Sequence, residues 1–194
     1  MAADLSAFIL AGGKSTRMGT DKAFVQLEGR TLLARVLVVA RSLTPTVFIV
    51  GDRAKFAPFA AVVEDVFPEC GPLGGIHAAL RASHADLNLV LAVDTPFVSL
   101  ALLQFLVSRA ANSPSSTVTV PQANGGFQPL CAVYRRDFAD TAEHALNAGR
   151  YKIDALFAET TSQIIRENEL EVAGFSPRIF RNLNTPEELS AARE

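Results

Sequence analysis

With 194 residues, 49% of them hydrophobic and 20% charged, the chain has ordinary globular composition and can bury one sizeable core, so a single domain over residues 1–194 is expected. The formal net charge of −2 excludes a general basic surface for nucleic acid, and an anionic ligand has to be held by local cations and backbone N–H groups. No apolar run approaches the ~20 residues of a membrane span, and Met1-Ala2-Ala3-Asp4-Leu5 lacks a signal-peptide pattern, so a cytoplasmic protein without a membrane is expected.

Leu5 to Leu10 reads as a buried strand, ended by Gly12-Gly13. Thr31 to Leu43 carries apolar residues at 32, 33, 36, 37 and 40, which is helical spacing. Val47 to Val50 and Val62 to Val63 are strand-like, and Gly74 to Ser83 can form a helix. Leu87 to Val93 is nearly all apolar, as in a central parallel strand covered on both faces. Ser99 to Ala110 is helical, Thr117 to Val120 and Leu130 to Tyr134 are strands, and Asp137 to Leu146 is a helix. Thr185-Pro186-Glu187-Glu188 starts a last helix, with a Thr cap, Pro in the first turn and Glu three residues after the cap. Asn112 to Ser116 and Asn124-Gly125-Gly126 read as surface loops. The alternation predicts a three-layer α/β/α domain with a mostly parallel, mixed sheet. Such sheets bind ligands at the carboxyl ends of their strands, which singles out the loops after Leu10, Val50, Val63 and Val93. Cys70 and Cys131 have no zinc or redox spacing and are expected to be buried or half-buried thiols. His77, His84 and His144 are read as structural or surface residues.

The strongest local signal is the loop Leu10-Ala11-Gly12-Gly13-Lys14-Ser15-Thr16-Arg17-Met18-Gly19-Thr20-Asp21-Lys22, directly after a buried strand. Its glycine pair lets the backbone turn tightly and approach a ligand, and successive N–H groups in such a turn form an anion-binding concavity. Lys14, Arg17 and Lys22 add positive charge, as a triphosphate needs. A P-loop is excluded because Phe8 stands where its first glycine belongs, and the adjacency of Gly12 and Gly13 excludes a dinucleotide fingerprint. Asp94 ends the most apolar run, so its carboxylate belongs at a carboxyl strand end beside that loop. Mg²⁺ takes one or two protein carboxylates and completes its shell with water and phosphate oxygens, so one Asp suffices to recruit it. The alternative is that Asp94 begins a β-turn ahead of Pro96.

The run from Leu10 to Lys22 resembles the LAGGxSxRMGxDK signature of the molybdenum cofactor guanylyltransferases. The resemblance continues through Glu64-Asp65, Gly71-Pro72-Leu73-Gly74-Gly75-Ile76, Asp94-Thr95-Pro96-Phe97, Gln128 to Tyr134 and Asn182 to Leu189. It implies a mixed-sheet fold shared with nucleotide-sugar (nucleotide-diphospho-sugar) transferases. It also implies transfer of GMP from GTP to the phosphate of molybdopterin, the organic part of the molybdenum cofactor. The acceptor phosphate is largely ionised at neutral pH, its second pKa being about 6, so no base is needed and catalysis is positioning and charge neutralisation. Arg17, Lys22 and Asp94 are the expected catalytic group, with Asp94 as Mg²⁺ ligand. Leu10, Ala11, Gly12, Gly13, Lys14, Lys22, Asp65 and Asp94 are expected at the nucleotide. Asp52 falls near a family position that is often Asn, and its alternative is a solvated turn residue. Asn182 and Asn184 either face the acceptor or cap the last helix; Gln128 and the Asn124 to Phe127 loop are further acceptor candidates. Delivery proteins for the molybdenum cofactor are expected partners. A relative using another base or acceptor, such as a cytidylyltransferase or sugar-phosphate enzyme, and a nucleotide-binding module without catalysis are the alternatives.

Overall fold

In the opening strand, β1 (Leu5–Leu10), side chains alternate between two faces, and both faces are buried and largely apolar, Ser6 being the one polar residue. Ala7 and Ile9 join one buried cluster, while Phe8 and Leu10 join another. The computed structural model describes residues 4–12, 21–183 and 188. After Asp21 come a 3₁₀ turn (Lys22–Phe24), a small hairpin of β2 (Gln26–Leu27) and β3 (Arg30–Thr31), and α1 (Leu32–Leu43). Thr31 is the cap of α1 and not its first residue: its hydroxyl accepts from Ala34 N at 3.2 Å. Next are β4 (Val47–Val50), α2 (Arg53–Phe56), β5 (Ala61–Val63), α3 (Pro72–Ala82), β6 (Leu87–Ala92) and α4 (Leu100–Ala111). The remainder comprises β7 (Val118–Ala123), β8 (Gly126–Phe127), β9 (Cys131–Tyr134), α5 (Phe138–Asn147), α6 (Ile153–Leu156), β10 (Ser162–Ile165), α7 (Glu167–Val172) and a second 3₁₀ turn (Pro177–Phe180).

The strand order is β10-β7-β9-β6-β1-β4-β5, with β8 hairpinned onto β7. β1 pairs in parallel with both β6 and β4, and β4 with β5, while β9 runs antiparallel between β6 and β7. The sheet is therefore mixed, and helices cover both faces. Leu33, Val36, Leu102 and Leu106 of α1 and α4 pack with Ala7 and Ile9 on one side. Ile76, Leu80, Phe138 and Ala142 of α3 and α5 pack with Phe8 and Leu10 on the other. None of the described helices is long and apolar enough to cross a membrane.

Two departures from the sequence-based expectation have clear causes. β7 runs on through Pro121 to Ala123, because only Val118 and Thr119 pair with β9 and the missing Pro N–H falls beyond that ladder. Asn124 and Gly125, with φ of 54° and 75°, form the two-residue tip of the β7–β8 hairpin, where both central residues need positive φ. Cys131 is buried and Cys70 half-buried, both free, as expected. The last helix expected from Thr185 lies outside the described residues except for Glu188.

Candidate active site

The four adjacent parallel strands β6, β1, β4 and β5 end side by side, and backbone hydrogen bonds staple their exits together. Val93 N donates to Leu10 O at 3.1 Å, Ala11 N to Val50 O at 3.0 Å and Gly51 N to Val63 O at 3.0 Å. Above these ends lies a cavity of about 690 Å³, lined among others by Leu10, Ala11, Gly12, Lys22, Asp65 and Asp94. A Cβ on Gly12 would come no closer than 4.0 Å to Gly51 Cα or Val50 O, so packing does not demand glycine there; the bare backbone leaves the cavity open. At Gly75 the fit is tighter, since a Cβ would meet Leu10 Cδ2 at 3.0 Å and the leucine side chain would have to shift by a few tenths of an ångström.

Lys22 and Asp94, 72 residues apart, meet at this cavity, with Lys22 Nζ 3.0 Å from Asp94 Oδ2. Their side chains are 23% and 17% exposed, so the pair is partly shielded from water and less screened than a rim contact. Asp21 caps the 3₁₀ turn that Lys22 begins, its Oδ1 accepting from Ala23 N at 3.0 Å. The backbone oxygen of Asp94 accepts from Leu183 N at 3.0 Å, which ties the C-terminal segment to the site. Among the described residues no three His, Cys, Asp or Glu side chains converge. Asp94 is the carboxylate in the cavity lining beside Lys22, and a single carboxylate can hold a hard divalent cation when ligand oxygens and water complete its shell. Asp94 Oδ2 already holds a cation, the Lys22 ammonium, at hydrogen-bond distance.

The opposite wall comes from the loop ahead of α3. Asp65 Oδ1 accepts from Phe67 N at 2.8 Å, and a Cβ on Gly74 would sit 2.8 Å from Asp65 Oδ2 and 2.9 Å from Phe67 O. Only glycine allows the carboxylate and loop to lie this close to the helix. Gly71, with φ of 69°, turns the chain into α3, and Gly71, Pro72 and Gly75 line the cavity. Desolvation raises the Asp65 carboxyl above the usual carboxylate range, offset in part by the Phe67 N–H bond and by His77.

Asp52 follows a different course. Its carboxylate accepts from Ala54 N at 2.8 Å and caps α2, and it is not among the cavity-lining residues. Short polar side chains at helix starts commonly satisfy local N–H groups in this way. Asn182 is exposed and also off the lining, though its neighbour Leu183 is buried with Leu27 and Leu32. Gln128 Nε2 donates to Ala123 O at 3.0 Å within the hairpin, and Asn124 Nδ2 to Pro177 O at 3.1 Å, which ties the hairpin tip to the segment after α7. Gly13, Lys14, Arg17 and Asn184 lie outside the described residues. His77 is buried against Phe67, His84 and His144 are exposed, and none lines the cavity. Sequence reasoning did not single out Gly51, Glu69 or Leu130 as lining residues. Gly51 had a signal, since it follows a predicted strand; Glu69 had none. A smaller crevice of about 390 Å³ at Glu28, Arg30 and Arg35 includes neither Lys22 nor Asp94.

A mixed α/β/α sheet with an open, glycine-edged cavity at its carboxyl ends, and a lysine paired with an aspartate in its lining, is the arrangement of a nucleotide-binding α/β protein of the nucleotidyltransferase class. The model of the MobA-like NTP transferase domain matches residues 7–164. A molybdenum cofactor guanylyltransferase of Desulfosudis oleivorans is 34% identical over 191 residues, covering 97% of this chain and 94% of that protein. The structure of molybdopterin-guanine dinucleotide biosynthesis protein A from Archaeoglobus fulgidus superposes with a TM-score of 0.81 at 27% identity, covering 97% of this chain and 96% of the other. A 2-C-methyl-D-erythritol 4-phosphate cytidylyltransferase from Thermus thermophilus shares the fold, with a TM-score of 0.72 at 19% identity, covering 98% of this chain and 97% of the other. The chain belongs to the MobA-like NTP transferase family.

Proposed function

We propose that this chain transfers GMP from GTP to the terminal phosphate of molybdopterin in the cytoplasm, with Mg²⁺, releasing pyrophosphate and forming the guanine dinucleotide cofactor. The observation that carries this reading is the meeting of Lys22 and Asp94 in one cavity with the bare backbone of Gly12, in a chain of this family. An oxygen of the acceptor phosphate forms a new bond to the α-phosphorus as the bond to the pyrophosphate oxygen breaks. No proton has to be removed, because the acceptor is already ionised. Lys22, with Arg17 and Lys14, offsets negative charge on the α-phosphate and the departing pyrophosphate. Asp94 holds Mg²⁺, which when bound supplies further neutralisation of phosphate charge. The backbone of Leu10, Ala11 and Gly12 lies along the base, Asp65 accepts from nucleotide N–H or O–H donors, and Asn182 and Asn184 serve the acceptor side.

Pyrophosphate release is the direct test, measured with each of the four NTPs, Mg²⁺ and molybdopterin. Release with GTP that depends on molybdopterin is the expected result. A preference for CTP, or release indifferent to molybdopterin, overturns the assignment. No release with any NTP points to a nucleotide-binding module.

Asp65 gives a pH signature. Its folded-state pKa lies above the unfolded value, so the ionised carboxylate opposes folding above the unfolded pKa, and that cost vanishes as pH falls through the folded pKa. Asp65→Asn keeps an acceptor for Phe67 N–H. Its urea midpoint relative to wild type is expected to be higher at neutral pH and to lose that advantage in acid. Wild-type GTP affinity, measured by calorimetry, is expected to weaken as pH falls through the Asp65 titration more than that of Asp65→Asn. Parallel affinity profiles would remove Asp65 from the nucleotide.

A further inference from the structure

Lys22 begins the 3₁₀ turn, and the turn rests on α2 through a polar and an apolar contact. The Asp21 carboxylate, which caps the turn through Ala23 N, also pairs through Oδ2 with Lys55 Nζ. One residue beyond Ala23, the Phe24 ring stacks on Phe56 with centroids 6.0 Å apart and meets Phe59 at 5.8 Å. The Lys55 ammonium also lies 5.6 Å from the centroid of Phe56, joining the two contacts into one surface. Phe56 is buried, and it packs so closely under the cavity-lining Gly51 that a Cβ there would come within 3.0 Å of its ring.

The direction of this support matters. α2 follows β4, on one side of β1, whereas Asp94 follows β6, on the other side. The turn is thus anchored on the β4 side while the Lys22 ammonium reaches across the end of β1 to the β6 side. A lysine has a long flexible stem, so the place of its backbone sets the arc its ammonium can sweep. Lys55 does not line the cavity, and its ammonium is engaged by Asp21.

We propose that Lys55 is a positioning residue for phosphoryl chemistry at this site: through Asp21 it seats the Lys22–Phe24 turn so that the Lys22 ammonium stays over the cavity mouth. The proposal rests on Lys22 being a charge-stabilising group in the proposed reaction. Lys55 is exposed, and an exposed ion pair contributes little to folding. Its effect falls on rate, because a displaced charge loses its alignment with the transferring phosphate.

The test is pyrophosphate release by the full chain with GTP, Mg²⁺ and molybdopterin. Lys55→Met keeps the apolar stem and removes the charge; kcat is expected to fall about fivefold with KM for GTP changed less than about twofold. Lys55→Arg is expected to restore kcat to within about twofold, and neither variant should shift the thermal midpoint appreciably. In a Lys22→Ala background, Lys55→Met should cost nothing further, because the group it positions is gone. Wild-type kcat in Lys55→Met, or the same loss in both backgrounds, overturns the seat while leaving Lys22 in place. A Lys22→Ala enzyme at wild-type rate overturns the underlying role of Lys22 instead, so the two failures are distinguishable.

Discussion

Lys22→Ala is expected to lower kcat by roughly 10²–10³-fold, the scale for losing one preorganised charge-stabilising donor. The ammonium sits 3.0 Å from Asp94 in a partly shielded site, where a charge is worth more than in bulk water. One of its three N–H donors is on that carboxylate, which leaves others to reach a phosphate. A second readout follows under the proposed metal role. With the ammonium removed, Asp94 should bind Mn²⁺ in the absence of nucleotide more tightly than in wild type, as measured by titration calorimetry. A near wild-type rate under saturating GTP and Mg²⁺ removes Lys22 from the transition state, and unchanged Mn²⁺ affinity removes the competition at Asp94.

Phe8→Ala is expected to destabilise the fold by about 3–5 kcal/mol, the usual cost of truncating a fully buried aromatic. Phe8 is completely buried in β1, and its ring stacks on Phe48 at 5.0 Å with planes 13° apart. Its strand carries hydrogen-bonded partners on both edges, so the void cannot close by moving one edge strand inward. Since folded domains are stable by only about 5–15 kcal/mol, the variant should show a large fall in urea midpoint. A loss below about 1 kcal/mol would mean the core around Phe8 collapses freely around the gap.

Where a signal is local, the sequence read well. The all-apolar run of β6 needs no partner to be recognised as a strand covered on both faces. The same holds for the spacing of Leu32, Leu33, Val36, Leu37 and Ala40 in α1. The strand exits at Leu10, Val50, Val63 and Val93 could be named because every parallel strand hands its ligand loops to one edge. β10 was not legible, because Ser162-Gln163-Ile164-Ile165 is short, half polar and held mainly by its pairing with Val118 to Pro121. β8 was not, because two residues carry no period.

The site divides in the same way. Composition and spacing marked the glycine loop and Lys22 as binders of phosphate and Asp94 as a carboxylate for a cation, while Asp65 was singled out by the family resemblance. Only the tertiary structure decided that β1 lies between β6 and β4, which brings Lys22 to Asp94 across 72 residues of chain and sets the Lys22 turn on Lys55 and Phe56. It also gave the Asp52 carboxylate to the N–H of Ala54, two residues on. A residue's type and its near neighbours fix what chemistry it can offer. Which partner it meets depends on strand order and helix packing, and those are set by the burial of the whole chain.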